Sequence, residues 1–351
     1  MTTRLYAGAV VGPSKPHGAQ PGGVYRLTVG EDRWQRCDGG LPADAPGRCL
    51  AVDPRDRRVV YAGTERGLYR SRDAGDTWTR LGLPDGGAVW SLLFHPTDPA
   101  VMYAGTAPPA VYRSADGGET WTALTAFRAP QRVSMNFPCR LLRLAADPSA
   151  PDELYAGLEV DGVVRSLDGG MSWDDVSHGL VKLAERPHLK SRIASDTEIE
   201  GMMDTHALCL SSACPGTVFL AVRMGLFRSD DRGGSWADME VGRFSPLTYA
   251  RDVVVSPHDP TRLFAALSPA ARSEAGTVYR SDDLGGSWRR IDHGVTARST
   301  LMKLAVHPED PAQLYAATRD GQVFGTADGG ARWREWRLPE GATDVYALAC
   351  A

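Results

Sequence analysis

The sequence lacks several features that would assign it to a common functional class. No apolar run approaches the roughly 20 residues of a membrane-spanning helix. The N-terminus has no basic segment followed by an apolar one, so we expect no secretory leader and place the protein in the cytoplasm. A net charge of −4 and a pI near 6.1 give no basic excess of the kind that nucleic-acid binding requires. We therefore expect neither a membrane nor a nucleic acid among the partners.

Lysine and asparagine are almost absent, and cysteine is sparse. Beside 35 arginines the chain has one asparagine, Asn136, and four lysines, at Lys15, Lys182, Lys190 and Lys303. This bias is typical of a GC-rich, bacterial genome and assigns no task. The six cysteines are expected to be reduced in a cytoplasm. Cys209 and Cys214 lack a second Cys or His pair at zinc-ligand spacing, so we expect no structural zinc. Nucleotide-binding loops, zinc-protease helices and nucleophile elbows are also missing.

One eight-residue pattern recurs throughout the chain. The form Ser-x-Asp-x-Gly-x-x-Trp occupies residues 71–78, 114–121, 166–173, 229–236 and 281–288, with Thr replacing Ser at 326–333 and a degenerate copy ending at Trp34. A short Asp side chain closes a turn on nearby backbone amides, Gly supplies a positive φ, and Trp buries a large ring. A single Asp-x-Gly would also suit a calcium loop or a catalytic carboxylate. Its repetition in every unit favours a structural turn.

A second pattern, a strand of the type Tyr-Ala-Gly, occurs seven times. Its copies carry the aromatic residues Tyr6, Tyr61, Tyr103, Tyr155, Phe219, Phe264 and Tyr315. Each of the last six follows, at constant spacing, a short run that is apolar on both faces. Such a run predicts a strand buried on both sides, which in a propeller is the innermost strand of a blade.

These repeats predict the whole architecture. We expect an all-β fold in which residues 1–351 form one domain, a seven-bladed β-propeller of four-stranded antiparallel blades. The C-terminal run 345–351 has no Tyr-Ala-Gly strand after it, and Tyr6 has no inner strand before it. The N- and C-terminal strands should therefore share one blade and close the ring, which hides both strand edges.

The eight-residue pattern Ser-x-Asp-x-Gly-x-x-Trp resembles the Asp-box, or BNR, repeat of sialidases, xyloglucan-degrading glycosidases, sortilin-type receptors and Ycf48-like assembly factors. The resemblance implies a propeller, and it is compatible both with glycosidase-like chemistry and with a scaffold role. Sialidases hold a carboxylate with three arginines, which invites comparison with Arg48, Arg143 and Arg251. Arg143 lies one residue out of register with the other two, so we expect it on the opposite side of its strand.

The irregular length of the chain falls on one side of the predicted ring, which we call the loop face. It carries the loops after the Tyr-Ala-Gly strands and those that enter the inner strands; the Asp-boxes lie on the other side. Insertions are expected at 8–22, 124–139, 174–205 and 267–276. In the longest, 180–185 predicts a helical turn, while 187–203 could form an ordered lid or a loose loop. Uneven elaboration of one face of a repeat scaffold indicates function there.

Charged and aromatic residues begin the predicted inner strands, at the loop-face mouth of the central channel. We assign candidate catalytic roles to Glu159, Asp204 and His206, because two carboxylates beside a histidine suit general acid–base chemistry or a hard metal ion. A divalent metal on these three residues is therefore possible, and the cofactor stays open. Candidate ligand-binding residues around them are Arg251, Tyr249, Arg143, Lys303, Asp161, Trp90, Arg48 and Tyr346.

Two functions remain open from the sequence. In the first, the mouth binds a small polar or anionic ligand and performs hydrolase- or lyase-type chemistry. In the second, the loop face is a non-catalytic scaffold for a protein partner, an idea supported by apolar side chains in the insertions: Phe127, Met135, Phe137, Met202 and Met203. A self-satisfied salt network that plugs the channel is the alternative to both.

Overall fold

Seven four-stranded antiparallel sheets, each one blade, make up the computed structural model, which describes residues 2–10, 22–43, 45–193 and 195–351. The predicted seven-bladed β-propeller is confirmed. Blade 1 contains β1 (Arg4–Val10), β2 (Gly23–Thr28), β3 (Gln35–Arg36) and the last strand, β28 (Thr343–Cys350). Blade 2 contains β4 (Gly47–Asp53), β5 (Asp56–Thr64), β6 (Gly67–Ser71) and β7 (Thr79–Leu81). Blade 3 contains β8 (Ala88–Phe94), β9 (Met102–Ala107), β10 (Val111–Ser114) and β11 (Thr122–Ala123).

The remaining blades follow the same order from the inner strand outwards. Blade 4 contains β12 (Leu141–Asp147), β13 (Ala150–Leu158), β14 (Gly162–Ser166) and β15 (Asp174–Asp175). Blade 5 contains β16 (Thr205–Leu210), β17 (Val218–Val222), β18 (Gly225–Ser229) and β19 (Ala237–Asp238). Blade 6 contains β20 (Tyr249–Ser256), β21 (Asp259–Ser268), β22 (Thr277–Ser281) and β23 (Arg289–Arg290). Blade 7 contains β24 (Leu301–Val306), β25 (Leu314–Thr318), β26 (Gln322–Thr326) and β27 (Arg334–Arg337).

The inner strands form a ring around the central channel. Each contacts the inner strand of the next blade, and β28 contacts both β4 and β24. Within blade 1, β28 pairs antiparallel with β1, with Leu5 opposite Cys350 and Gly8 opposite Ala347. This pairing is compatible with the predicted closure through the two ends of the chain. No helix in the described ranges is long and apolar enough to cross a membrane, and all six cysteines are free thiols.

The Asp-boxes form closed turns between the third and fourth strands of their blades. In the box at 229–236, Asp231 accepts hydrogen bonds from Ser229 Oγ (2.8 Å), Ser235 N (2.7 Å) and Ser235 Oγ (2.7 Å). The amide of Gly233 donates to Ser229 Oγ at 2.7 Å, and Gly233 has the positive φ of 86° that favours glycine. Trp236 donates to Val176 O of the preceding blade at 2.8 Å. The carboxylate of the repeated Asp thus accepts its hydrogen bonds within its own turn.

A β-bulge interrupts six inner strands at the same place. Near the start of β4, Gly47 pairs with Thr64 and Cys49 with Gly63, which leaves Arg48 without a partner residue. The residues left unpaired in this way are Arg48, Trp90, Leu142, His206, Arg251 and Met302. In blade 1 the register shifts between Gly8 and Val10, opposite the stretch of β28 that holds Tyr346. Bulges re-aim side chains and commonly lie beside functional sites.

The longest insertion, at 174–205, is a packed segment that contains two short helices. Its helix α1 (His178–Leu183) begins and ends two residues earlier than the predicted helical turn, and α2 (Glu200–Met203) leads into β16. Single 3₁₀ turns occur at Pro84–Gly86, Pro187–Leu189 and Val241–Arg243. The buried carboxylate of Glu200 accepts hydrogen bonds from Ile193 N (2.8 Å) and Ser195 Oγ (2.7 Å) and so ties the loop to α2.

Three of the five apolar side chains expected to be exposed in the insertions are buried. Phe127, Met202 and Met203 are buried, so they do not form the exposed apolar patch that the scaffold hypothesis used. They pack instead against the blades beneath them, and Phe127 meets Trp173 edge-on at 5.3 Å. Of the predicted insertion 8–22, residues 11–21 lie outside the described residues.

Candidate functional site

The bulges bring most of the predicted ligand-binding residues to one cavity at the loop-face mouth. The cavity measures about 80 Å³, room for several water-sized groups. Its lining includes seven of the predicted site residues: Arg48, Trp90, Arg143, His206, Arg251, Lys303 and Tyr346. Asp252 also faces it. Deeper in the channel the lining turns aliphatic, with Leu50, Leu92, Leu304 and Leu348.

The expected direction of Arg143 is wrong. Arg143 follows the bulged Leu142, whereas Arg251 is itself the bulged residue of β20, yet both line the same cavity. Simple alternation would have sent them to opposite faces, but a bulge adds a residue and breaks the alternation locally. Two successive positions at the start of five inner strands therefore line the cavity.

His206 is the centre of a buried polar cluster. Its Nδ1 lies 2.7 Å from the carbonyl oxygen of Ala250, which can only accept, so Nδ1 carries a hydrogen. Its Nε2 lies 3.2 Å from Asp204 Oδ2 and 3.3 Å from the hydroxyl of Tyr249. A neutral ring accepts the Tyr249 hydroxyl hydrogen at Nε2, and a protonated ring donates from Nε2 to Asp204. The cluster can therefore take up or release a proton at Nε2.

Burial and neighbouring charges set the protonation of this cluster. Burial lowers the pKa of His206 below its ordinary 6.5; Asp204 opposes this effect and Arg251 adds to it. For Asp204, burial alone would raise the pKa, but the charges of His206, Arg251 and Arg223 hold it below the ordinary value. The two arginines act on Asp204 even when the imidazole is neutral. A charged His206 and an ionised Asp204 thus stabilise each other, while Arg251 favours the neutral ring and the ionised carboxylate.

Glu159 provides a second proton-exchanging group. Its Oε1 accepts a hydrogen bond from Arg140 Nη1 at 2.8 Å, while its buried Oε2 has no hydrogen-bond partner among the described residues. Burial raises the pKa of Glu159 to about 7; Arg140 opposes this and the negative charge of Asp204 adds to it. A carboxyl group with such a pKa can act as a general acid near neutral pH.

Arg251 carries a charge that has no hydrogen-bond or ion-pair partner among the described residues. Arg251 is only 9% exposed, and its Nε atom is buried without a hydrogen-bond acceptor among the described residues. In the part of the chain that the structure describes, no hydrogen bond or ion pair reaches its guanidinium. The nearest ring is Tyr346, whose centroid lies 5.8 Å from Cζ. The electrostatic pull of Tyr249, Tyr346 and two carboxylates raises the pKa of Arg251 despite burial, so the group stays charged.

Asp252 is the acidic residue within the lining, and two cations share it. Arg143 Nη2 donates to Asp252 Oδ1 at 2.8 Å, and Lys303 Nζ lies 3.6 Å from the same oxygen. The other oxygen accepts from the amide of Leu304 at 2.9 Å. Burial and, next to it, the charge of Arg143 lower the pKa of Lys303 to about 7 against the attraction of Asp252.

Aromatic rings and guanidinium groups alternate on the other side of the mouth. Trp90 meets Tyr346 edge-on at 5.7 Å. The Cζ atoms of Arg48 and Arg140 lie 4.4 and 4.7 Å from the Trp90 ring centroid. Arg48 is also paired with Glu65. These contacts fix the rings and their cations together as a positively charged aromatic wall.

Asp161 lies outside the site. Its carboxylate accepts hydrogen bonds from the backbone amides of Gln131 (2.8 Å) and Arg132 (2.6 Å), so it fastens the insertion at 124–139. Its role is therefore to hold a loop. Among the described residues, no group of three or more His, Cys, Asp or Glu side chains is arranged to hold a metal ion, and this includes Glu159, Asp204 and His206.

Sequence reasoning missed Arg140 and undervalued Asp252. Arg140 pairs with Glu159 and covers Trp90, but it belongs to the end of an insertion and has no counterpart in the repeat alignment. Its position directly before β12 was the available signal. Asp252 stands in the second column of the inner strands, whose access to the mouth depends on the bulge.

Family comparisons match the repeats. The BNR-Asp box repeat model matches residues 226–239, and the model for sortilin (neurotensin receptor 3) matches residues 66–184. The fold is thus a seven-bladed β-propeller with Asp-box turns, and these family models match parts of it.

Individual relatives share this fold over most of the chain. A xyloglucanase of Hypocrea jecorina (strain QM6a) is 26% identical over 363 residues, which cover 93% of this chain and 37% of the relative. The GH74 xyloglucanase of Xanthomonas campestris has a TM-score of 0.62 at 20% identity, over 87% of this chain and 47% of that one. YCF48 bound to D1 peptide has a TM-score of 0.52 at 18% identity, over 84% of this chain and 83% of that one. The chain thus spans between a third and a half of these two xyloglucanases.

Proposed function

We propose that the loop-face mouth binds a small anionic ligand through Arg251, with proton transfer by Glu159, Asp204 and His206. The observation that carries the proposal is the buried guanidinium of Arg251, for which the described residues offer no acceptor. Burying a charge without a partner is costly, and a stable fold normally supplies one. A carboxylate or phosphate group on the ligand would be that partner, in the geometry that a guanidinium favours.

The surroundings of Arg251 also suit an anion. Arg143 and Lys303 share the single carboxylate of Asp252, so the lining has more positive than negative groups. The aromatic wall of Trp90 and Tyr346 adds two further guanidinium groups at its edge. Charges in such a water-poor site are weakly screened, which strengthens their hold on an anion.

The reaction class follows from the acid–base groups. Glu159 is a carboxyl group that can donate a proton near neutral pH, and His206 can exchange one at Nε2. One general acid and one general base next to a bound anion are the equipment of a hydrolase or a lyase. The xyloglucanase relatives are hydrolytic enzymes by name, which is consistent with this class. The free cysteines fit a reducing compartment, and a cytoplasmic location is part of the proposal.

Calorimetry and thermal unfolding of the full chain with inorganic phosphate and with acetate test the proposal. We expect at least one of these anions to bind and to raise the melting temperature, with a gain of about 2.7 kcal/mol at 100 times Kd. The variant Arg251→Met should fold, lose this binding, and without ligand be as stable as the wild type or more stable, because an unpaired buried charge is gone.

The matched control is Arg289→Met, which removes an exposed arginine from the outer strand of blade 6 and should bind like the wild type. Unchanged anion binding in Arg251→Met would overturn the proposal. A marked loss of stability in the ligand-free variant would instead show that Arg251 plugs the channel as a structural group.

A protein-binding scaffold is the second candidate, favoured by one observation. YCF48, a protein that the chain matches over more than four fifths of both lengths, is seen bound to D1 peptide. A peptide could offer Arg251 an acidic side chain or a terminal carboxylate. In that case a fragment of an interacting protein, and neither phosphate nor acetate, would raise the melting temperature, and Arg251→Met would abolish its effect.

A further inference from the structure

Lys303 is the one lysine that lines the cavity, and the described residues hold its ammonium group loosely. Its Nζ makes no hydrogen bond there and approaches a single oxygen, Asp252 Oδ1, at 3.6 Å. That oxygen already accepts from Arg143 at 2.8 Å, and the other is bonded to the amide of Leu304. Asp252 thus already forms its close ion pair with Arg143, so Lys303 is a second cation beside a carboxylate that is already paired.

The charges that face Lys303 favour the loss of its proton. Arg143 faces Lys303 from blade 4, and Arg251 and Asp252 face it from blade 6, which is next to the blade of Lys303. The nearby thiol of Cys49 is neutral because burial raises its pKa to about 12. Two permanent cations therefore act on Lys303 against one carboxylate. With burial as the largest effect, its pKa falls to about 7, so about half of the molecules carry a free amine at neutral pH. A neutral amine is a nucleophile.

We propose that Lys303 forms an imine with a small 2-oxo acid or aldehyde acid whose carboxylate is held by Arg251. This inference rests on the proposed function, since it places the anionic end of the ligand on the same guanidinium. Both side chains line one cavity, and their strands are neighbours in the ring. The cavity volume of about 80 Å³ selects a compound with few non-hydrogen atoms, or the oxo-acid end of a larger one.

The step balances with groups that the site already holds. The lone pair of Nζ adds to the carbonyl carbon, and one of the two nitrogen protons is transferred to the carbonyl oxygen to give a neutral carbinolamine. A proton donated to the hydroxyl lets it leave as water while the nitrogen lone pair forms the C=N bond, and the last nitrogen proton is then returned to the proton carrier to leave the imine. His206, which lines the same cavity and exchanges a proton at Nε2, is assigned as the proton carrier for both transfers. The imine then withdraws electrons from the adjacent carbon, which is the basis of lyase chemistry on oxo acids.

Reductive trapping on the full wild-type chain tests the inference. The protein is incubated at pH 7 with glyoxylate and cyanoborohydride, and modified lysines are located by peptide mass spectrometry. The hydride adds to the imine carbon and leaves a carboxymethyl group on the nitrogen. We expect Lys303 to react about ten-fold faster than Lys190, which is exposed and ion-paired with Glu198. The rate at Lys303 should level off above about pH 7.

A neutral aldehyde separates the reactivity of the amine from recognition of the acid. With formaldehyde in place of glyoxylate, Arg251→Met should slow the modification of Lys303 only modestly, because loss of this cation raises the pKa of the amine. With glyoxylate, the variant should be about ten-fold slower than the wild type. Inorganic phosphate should slow only the glyoxylate reaction. Lys190→Met serves as the matched control and should leave trapping at Lys303 unchanged.

The outcomes distinguish this inference from the function on which it rests. If phosphate or acetate binds through Arg251 but glyoxylate modifies Lys303 no faster than Lys190, the imine is refuted and the anion site stands. Fast modification by formaldehyde without an effect of Arg251→Met on glyoxylate refutes the oxo-acid assignment. If no anion binds and Lys303 is unreactive, both proposals fall.

Discussion

The hydroxyl oxygen of Tyr249 lies 3.3 Å from Nε2 of His206, and the two rings are tilted by 52° with their centroids 5.0 Å apart. The phenol can donate to this nitrogen only while the imidazole is neutral, because Nδ1 already donates to Ala250 O. Tyr249 therefore favours the neutral form of His206, whereas Asp204, on the same nitrogen, favours the charged form. The balance between these two neighbours decides when His206 releases its proton.

Removal of the phenol hydroxyl should raise the pKa of His206. In Tyr249→Phe the neutral imidazole loses a hydrogen bond worth about 1 kcal/mol, so we expect a rise of up to about one pKa unit. Titration of the histidine ring protons by NMR measures this directly, with the exposed ring of His188 as an internal reference. An unchanged or lower pKa for His206 would mean that Tyr249 acts only through packing.

Glu159 should make the fold less stable as the pH rises. Its pKa is about 7 in the folded protein against 4.5 in the unfolded chain, so the folded state holds an extra proton between these values. The protonated group contributes its full stabilisation below pH 4.5, and this contribution is lost progressively as the pH rises to about 7. Relative to Glu159→Gln, the wild type should lose up to about 3 kcal/mol across this window.

Denaturant unfolding at a series of pH values checks this expectation. Glu185→Gln, which removes an exposed carboxylate, provides the control variant. Parallel curves for Glu159→Gln and the wild type would show that Arg140 holds Glu159 ionised throughout.

The Asp-box carboxylates should matter for stability and leave binding alone. Asp231→Ala removes the acceptor of three hydrogen bonds within the turn and should cost about 1 kcal/mol or more, while Asp231→Asn, which keeps one acceptor oxygen, should cost less. Chemical denaturation gives the free energy of unfolding, and calorimetry with phosphate gives the binding. Loss of phosphate binding in folded Asp231→Ala would contradict a structural role.

The C-terminal strand should be needed for a stable ring. Deletion of residues 345–351 removes buried Val345, Leu348 and Cys350 and uncovers the edge of β1, at a cost of about 5 kcal/mol or more. The melting temperature of the truncated chain should fall sharply, and a synthetic peptide of residues 343–351 added in excess should restore part of the loss. A truncated chain that melts like the full one would show that blade 1 does not depend on this strand.

The blades were predictable because they repeat, and the site was less so because it does not. Seven aromatic strand residues of the Tyr61 type at regular spacing define the blade count without any tertiary knowledge. The bulge has no such sequence pattern, since it is a feature of the backbone. The side of the strand on which Arg143 lies was predicted wrongly for that reason. Glu159 and Asp161 looked equivalent on one turn, but Val160 between them has a left-handed φ of 55°, and they reach different partners. The contacts of an unrepeated loop depend on what it packs against.

The bulges give the ring a mouth that can change its chemistry while the blades keep their alignment. Arg48, Trp90, His206 and Arg251 each occupy a position that no ladder partner opposes, so a new side chain there leaves the pairing of its strand untouched. The same scaffold can thereby exchange cations, rings and carboxylates around one opening without a change in strand register. The register of the blades and the chemistry of the mouth are thus set by different residues, which makes the mouth a natural starting point for laboratory evolution.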